Sequence, residues 1–186
     1  TMEDFDETGK SIVKLSPGKS KGMNFVTWNY RMSQPKVAKG KTLARGGLTS
    51  PRVKEGKYNI VINKGRDSFS KSIYVSDDPS TNLDSNEKKL KYETTMKLYN
   101  LSEELAYVVY TIDEMLSSDT IKKGVKNKLQ TIKESMVITT GDNYVGTAEN
   151  ELREDLLDLY SKLASSYDKP SQNDLANLSI VQDEYN

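Results

Sequence analysis

The sequence predicts an α+β chain in two parts: a small antiparallel β-sandwich over residues 1–80, then an up-and-down α-helical bundle over residues 84–186. Two observations carry this. Before Asp84 the apolar residues alternate in short runs punctuated by Gly, Pro, Asn and Asp, and after it they recur every three or four positions. The charge changes at the same place. Residues 1–82 hold 15 Lys/Arg against 8 Asp/Glu and residues 83–186 hold 12 against 19, giving +7 and −7 halves in a chain of zero net charge.

Taken in order, the opening run to Phe5 reads as the tail of a strand, as expected of a piece cut from a longer protein. Ser11–Leu15 is a second strand, entered through the turn Glu7-Thr-Gly-Lys10. Met23–Tyr30 is expected as a third, with Met23, Phe25 and Thr27 on one face and Val26 and Trp28 on the other. Tyr58, Ile60 and Ile62 alternate along a fourth. The tip Asn63-Lys-Gly-Arg66 then turns it into Ser68–Val75, and Pro79 closes the region because it cannot donate to a ladder. Between the hairpins, residues 32–53 form a long, basic, Gly-containing connection of the kind that is functional or mobile.

From Asp84 onward the pattern is helical. Leu98, Leu101, Leu105, Val108, Ile112 and Met115 make one stripe, and Asp84 with Glu87 makes a capping box at its start. A second helix is expected over about 119–137, with Ile121, Val125, Leu129, Ile132 and Met136 on one face. A third opens near Thr147 and carries Leu152, Leu156, Leu159 and Leu163. Asp168-Lys-Pro170 stops it, and a fourth starts at Ser171. None of these stripes can bury itself, which predicts a bundle of three to four helices.

Composition closes several chemistries. The chain has no Cys and no His, so Cys nucleophiles, disulfides, imidazole or thiolate metal ligands and Ser-His-Asp triads are excluded. No apolar run approaches the roughly 20 residues of a membrane helix. The basic half could suggest nucleic acid or acidic glycans. It is read instead as a solvated face, or as half of a mutually attracting pair, and neither a nucleic-acid nor a membrane partner is expected.

Three motifs tempt a functional reading. Asp4, Asp6 and Thr8, followed by Gly9, match the first half of a calcium loop, but Leu15 stands where the bidentate Glu belongs, and an ordinary turn explains the same residues. Gly40-Lys41-Thr42 lacks both the earlier Gly and the strand that a phosphate loop needs. Glu103, Glu104, Asp113 and Glu114 lie mostly off the apolar stripe, where acids serve solubility. Catalytic residues, metal ligands and cofactors are accordingly expected to be absent. Trp28, Arg31 and Arg45 are the candidate ligand contacts, although a lone Trp in a strand is more commonly core.

Four segments in order carry a resemblance: Asp6–Lys10, Lys21–Arg31, Val53–Ile62 and Val75–Pro79. They are similar to the C-terminal region of bacterial sortilin-like, BNR-repeat or glycosyl-hydrolase-like β-propeller proteins, where an immunoglobulin-like sandwich and a helical segment follow the propeller. The sandwich also resembles the immunoglobulin-like domain of the flagellar hook-capping protein. Glu55-Gly56 replaces the family's usual Pro-Gly, and no Asp-box repeat occurs. The resemblance implies a non-catalytic accessory region of a secreted, periplasmic or cell-surface protein, whose partner is its own N-terminal propeller. The alternative is a carbohydrate- or peptide-binding module that uses the 32–53 loop.

Overall fold

A computed structural model of the chain describes residues 2–6, 8–41, 48–139 and 151–185. Among the described residues the chain is α+β, a four-stranded antiparallel sheet followed by four helices. It divides into two compact units: residues 1–34 with 50–82, and residues 35–49 with 83–186.

The first unit holds β1 (Met2–Phe5), β2 (Ser11–Leu15), β3 (Gly56–Lys64) and β4 (Asp67–Val75), in the spatial order β2-β1-β3-β4. Residues directly paired across antiparallel strands share a face. The register Asp4↔Val13, Asp4↔Ile60 and Tyr58↔Ile73 therefore puts Met2, Asp4, Tyr58, Ile60 and Ile73 on one face. Met2, Asp4 and Tyr58 are buried there. On the opposite face Glu3 pairs with Lys14 at 2.6 Å, and Ser72 donates to Asn59 Oδ1 at 2.6 Å. The β3–β4 hairpin turns through Gly65 at φ 61° followed by Arg66 at negative φ, the type II′ geometry that Gly accommodates.

The expected strand over Met23–Tyr30 does not form; the segment is irregular. Asn24 donates its side-chain amide to the carbonyls of Ser20 and Gly22, and Tyr30 sits at φ 56°. These local bonds compete with an extended conformation, and among the described residues no ladder forms beyond the Val53 N bond to the Tyr30 carbonyl and the Arg31–Arg52 bridge. Strand-forming residues alone do not make a strand. The described residues thus contain one sheet, not the two hydrogen-bonded layers of a sandwich.

The second unit is built on α1 (Ser85–Ser117), α2 (Lys123–Met136), α3 (Leu152–Ser165) and α4 (Gln172–Tyr185). Asp84 Oδ1 accepts from the N–H groups of Asn86 and Glu87, while Glu87 Oε2 accepts from Asp84 N, so the capping box forms. Ser171 and Asp174 make a second reciprocal cap on α4, where Lys162 adds a 2.6 Å bond to Asp174. The start predicted for α3 near Thr147 falls outside the described residues, and the helix is described from Leu152.

The core of this unit joins Leu98, Leu105 and Val109 of α1 to Leu156, Tyr160 and Leu163 of α3 and to Leu178 and Val181 of α4. The α1 stripe is rotated from the expected one. The buried line runs through Thr94, Leu98, Ser102, Leu105, Val109 and Ile112, while Val108 is half-buried and Met115 exposed. Ser102 donates to the Leu98 carbonyl at 2.8 Å and Thr95 to that of Lys91 at 2.8 Å. Each hydroxyl is thereby satisfied inside its own helix, and small polar residues can occupy the core. Helix α2 differs again: none of its residues is buried, and Val125 and Ile132, central in its stripe, are exposed.

Candidate functional site

Ligand contacts were expected around Trp28, Arg31, Arg45 and the 32–53 connection. Trp28 is half-buried, with its ring 5.6 Å from Tyr58 and 5.3 Å from Tyr30. Its Nε1 donates to the Arg31 carbonyl at 2.9 Å, and the Tyr58 hydroxyl donates to the Lys54 carbonyl at 2.6 Å. The Arg31 guanidinium donates to the Ser50 carbonyl, and an isolated bridge pairs Arg31 with Arg52. Arg31 thereby ties the two ends of the connection together. Arg45 lies outside the described residues.

The residue that sequence reasoning missed here is Tyr30. A non-Gly residue at φ 56° is uncommon, and such strain tends to mark sites with a job. Tyr30 is 55% exposed beside Trp28, with the two rings inclined at 58°, so a partly wet aromatic pair results. Nothing in the sequence announced it, since the left-handed conformation is ordinarily signalled by Gly or Asn.

The middle of the connection is built into the helical unit. Pro35 and Ala38 are buried, and Lys41 N donates to the Ile138 carbonyl at 2.9 Å. Arg153, buried on α3, donates its Nε to the Ala38 carbonyl at 2.7 Å and pairs with Glu154 at 2.6 Å. The Tyr160 hydroxyl donates to the Thr49 carbonyl at 2.7 Å. A Cβ on Gly40 would stand 2.9 Å from the Arg153 guanidinium and 3.0 Å from Val137, so Gly40 serves close packing. The described part of this connection is a strap held by α3, which ties down backbone that a ligand-binding loop would leave free.

Asp4, Asp6 and Thr8 do not converge on a common point. Asp6 Oδ1 accepts from Thr8 N at 2.9 Å, Thr8 Oγ1 at 2.6 Å and Lys10 N at 2.9 Å, a turn that holds its carboxyl below the usual carboxylate range. Asp4 is 0% exposed on the covered face of the sheet, and neither carboxylate oxygen has a hydrogen-bond partner. Burial pushes its pKa up. Among the described residues no group of three or more acidic side chains is placed to hold a metal ion.

The sign for Asp4 follows from linkage. A carboxyl raised in the folded state is protonated there at a pH where the unfolded chain has already released the proton. Stability therefore falls as pH rises from the ordinary Asp pKa through the raised folded value. Asp4→Val, which keeps a strand-forming shape between Val13 and Ile60, is expected to stabilise the sheet unit by about 1–3 kcal/mol at pH 7 and to flatten this slope. Urea titrations at pH 4 and pH 7 measure both; a destabilised variant would mean that the carboxylate has a partner in solution.

Tyr99, Glu103 and Asp113 are each held by neighbours. Burial, together with Glu103 alongside, pushes the Tyr99 hydroxyl up to about 12, far from a neutral-pH proton donor or acceptor. Glu103 accepts from the Lys36 amide at 3.2 Å, and Asp113 binds Lys133 at 2.6 Å. Comparison with known proteins found no matching family model, no matching curated protein and no matching solved structure.

Proposed function

We propose that the chain is a non-catalytic accessory element of a larger secreted, periplasmic or cell-surface protein, serving to dock or space a neighbouring domain. The observation that carries this reading is the pair Met23 and Phe25, 82% and 85% exposed on the irregular segment of the sheet unit. Side chains of that size are left in water at a cost unless something covers them, and such exposure marks interaction surfaces. Several acidic side chains point the same way, because Asp6, Asp113, Glu154 and Asp174 are engaged in turns, caps and ion pairs.

In the finer form of this reading, the sheet unit is a divergent immunoglobulin-like sandwich in which Met23–Tyr30 replaces the facing layer. The neighbour is a sortilin-like β-propeller preceding it in the parent protein. The segments Lys21–Arg31 and Val53–Ile62 support this form by their resemblance. A second reading, a carbohydrate- or peptide-binding module, is favoured by the exposed Tyr30 ring beside Trp28, which suits stacking against a sugar or a peptide.

The full chain is expected to hydrolyse no aryl glycoside across a broad panel. Turnover that disappears when a single carboxylate is replaced would sink the accessory reading. Sugar binding that is lost in Tyr30→Ala, with folding intact, would select the second reading over the first.

A further inference from the structure

The two edges of the sheet are not alike. The short β2 edge receives a hydrogen bond from Ser33 N to the Ile12 carbonyl at 2.9 Å. The β4 edge is nine residues long, unbroken by a bulge and free of Pro, and among the described residues no further backbone bond reaches it at Ser68, Ser70 or Ser72. The type II′ turn closes on the pair Lys64↔Asp67, which in a two-residue hairpin exchanges both of its hydrogen bonds. Alternation from that pair turns the N–H and C=O of Ser68, Ser70 and Ser72 outward, while Phe69, Lys71 and Ile73 bond inward to β3.

The geometry points to β4 as a docking edge for an extended, acidic polypeptide segment, added as a fifth strand. This rests on the reading of the chain as an interaction element and names the surface and the chemistry. Three features select the occupant. First, a second copy pairing antiparallel about the strand centre would place Phe69 opposite Ile73 and Ser70 opposite Ser72, but Lys71 opposite Lys71. That central pair is not hydrogen-bonded, so its side chains approach closely and like charges repel. An acid there is attracted instead, and Lys64 and Arg66 at the hairpin tip add positive charge.

Second, the strand offers apolar positions on either side of Lys71, since Phe69 is exposed and Ile73 half-buried on the same face. Third, the opposite face carries an open groove of about 500 Å³ lined by Phe5, Asn59, Val61, Ser70 and Ser72, with Lys71 between the serines also at its wall. Residues flanking the acid on the added strand point to that face, because side chains alternate. A bulky apolar side chain there lies over the groove beside the small serines. Backbone bonds supply affinity and these alternate positions supply selectivity, as in strand addition generally.

The probe is a labelled peptide, Thr-Val-Phe-Glu-Phe-Val-Thr, whose symmetric sequence fits either strand direction; a second peptide carries Lys in place of the central Glu. Against the full chain, the Glu peptide should bind roughly fivefold tighter than the Lys peptide by fluorescence anisotropy. It should also slow amide exchange at Ser68, Ser70 and Ser72. Lys71→Glu should reverse the preference. Ser70→Pro removes an outward N–H that β3 does not use, and it should weaken binding by roughly tenfold with little change in Tm. Should that variant misfold, the Glu peptide methylated on alternate amides serves the same purpose. Equal affinity for the two peptides, no exchange protection at the serines, or a concentration-dependent dimer abolished by Ser70→Pro would each overturn the proposal. The accessory reading falls to glycoside turnover instead, so the two failures are separable.

Discussion

Arg153→Ala is expected to cost about 3–5 kcal/mol of folding stability, the scale for removing one partner of a buried ion pair. Arg153 and Glu154 are both buried, with 2.6 Å between Nη1 and Oε1. The same guanidinium donates to the Ala38 carbonyl, so its loss uncovers a buried charge and leaves a strap carbonyl without that donor. Gly40 packs against the guanidinium, which leaves little room for a water molecule to substitute. Urea unfolding followed at 222 nm measures the loss. Removing both charges by Arg153→Met with Glu154→Gln should recover most of it, since the penalty comes from leaving the Glu154 charge buried without Arg153. A single-variant loss below about 1 kcal/mol would mean that the strap separates from α3 in solution and that the pair is solvated.

Leu105→Ala is expected to cost about 2–5 kcal/mol, because its side chain is 1% exposed at the centre of the helical core. The neighbouring valines test the rotation of the stripe. Val109 is fully buried and belongs to the core cluster, whereas Val108 is half-buried outside it. Val109→Ala should therefore destabilise by roughly 1 kcal/mol or more beyond Val108→Ala, given about 0.8 kcal/mol per buried methylene and two carbons removed. A larger loss at Val108 than at Val109 would place the α1 face where the expected stripe had put it.

The helices show how far a sequence pattern reaches. The capping box at Asp84 and Glu87 was legible because it depends on residues three apart, and it forms as expected. The core membership of Leu98, Leu105 and Ile112 was equally legible. Ser102, Thr94 and Val109 were not, because a hydrophobic stripe has edges and only the position of α3 decides which edge is covered. Nor could apolar spacing reveal that α3 is buried well beyond its leucine stripe, at Leu157, Tyr160 and Ala164, while α2 buries nothing.

The sheet unit divides in the same way. The hairpin Gly56–Val75 was written in alternation and a Gly-containing turn, both of which act over a few residues. Met23–Tyr30 carried strand-forming residues but meets another segment only at its end, where Val53 N donates to the Tyr30 carbonyl, and a strand is a property of two segments. The candidate ligand contacts followed suit. Arg31 proved to be a tie across the connection, Asp6 a turn residue, and Tyr30 a strained aromatic that no local signal foretold.

What the sequence determined by itself was therefore mostly what short-range chemistry controls: the change from sheet to helix near Asp84, the capping box there, the hairpin tip, and the catalytic classes barred by the absence of Cys and His. The tertiary structure alone decided the order β2-β1-β3-β4, the burial of Asp4 without a partner, and the docking of the strap through Arg153. These contacts join residues far apart in the chain, as Ala38 and Arg153 are. Their formation depends on loop closure and on competition among all possible partners, which periodicity along one segment does not encode.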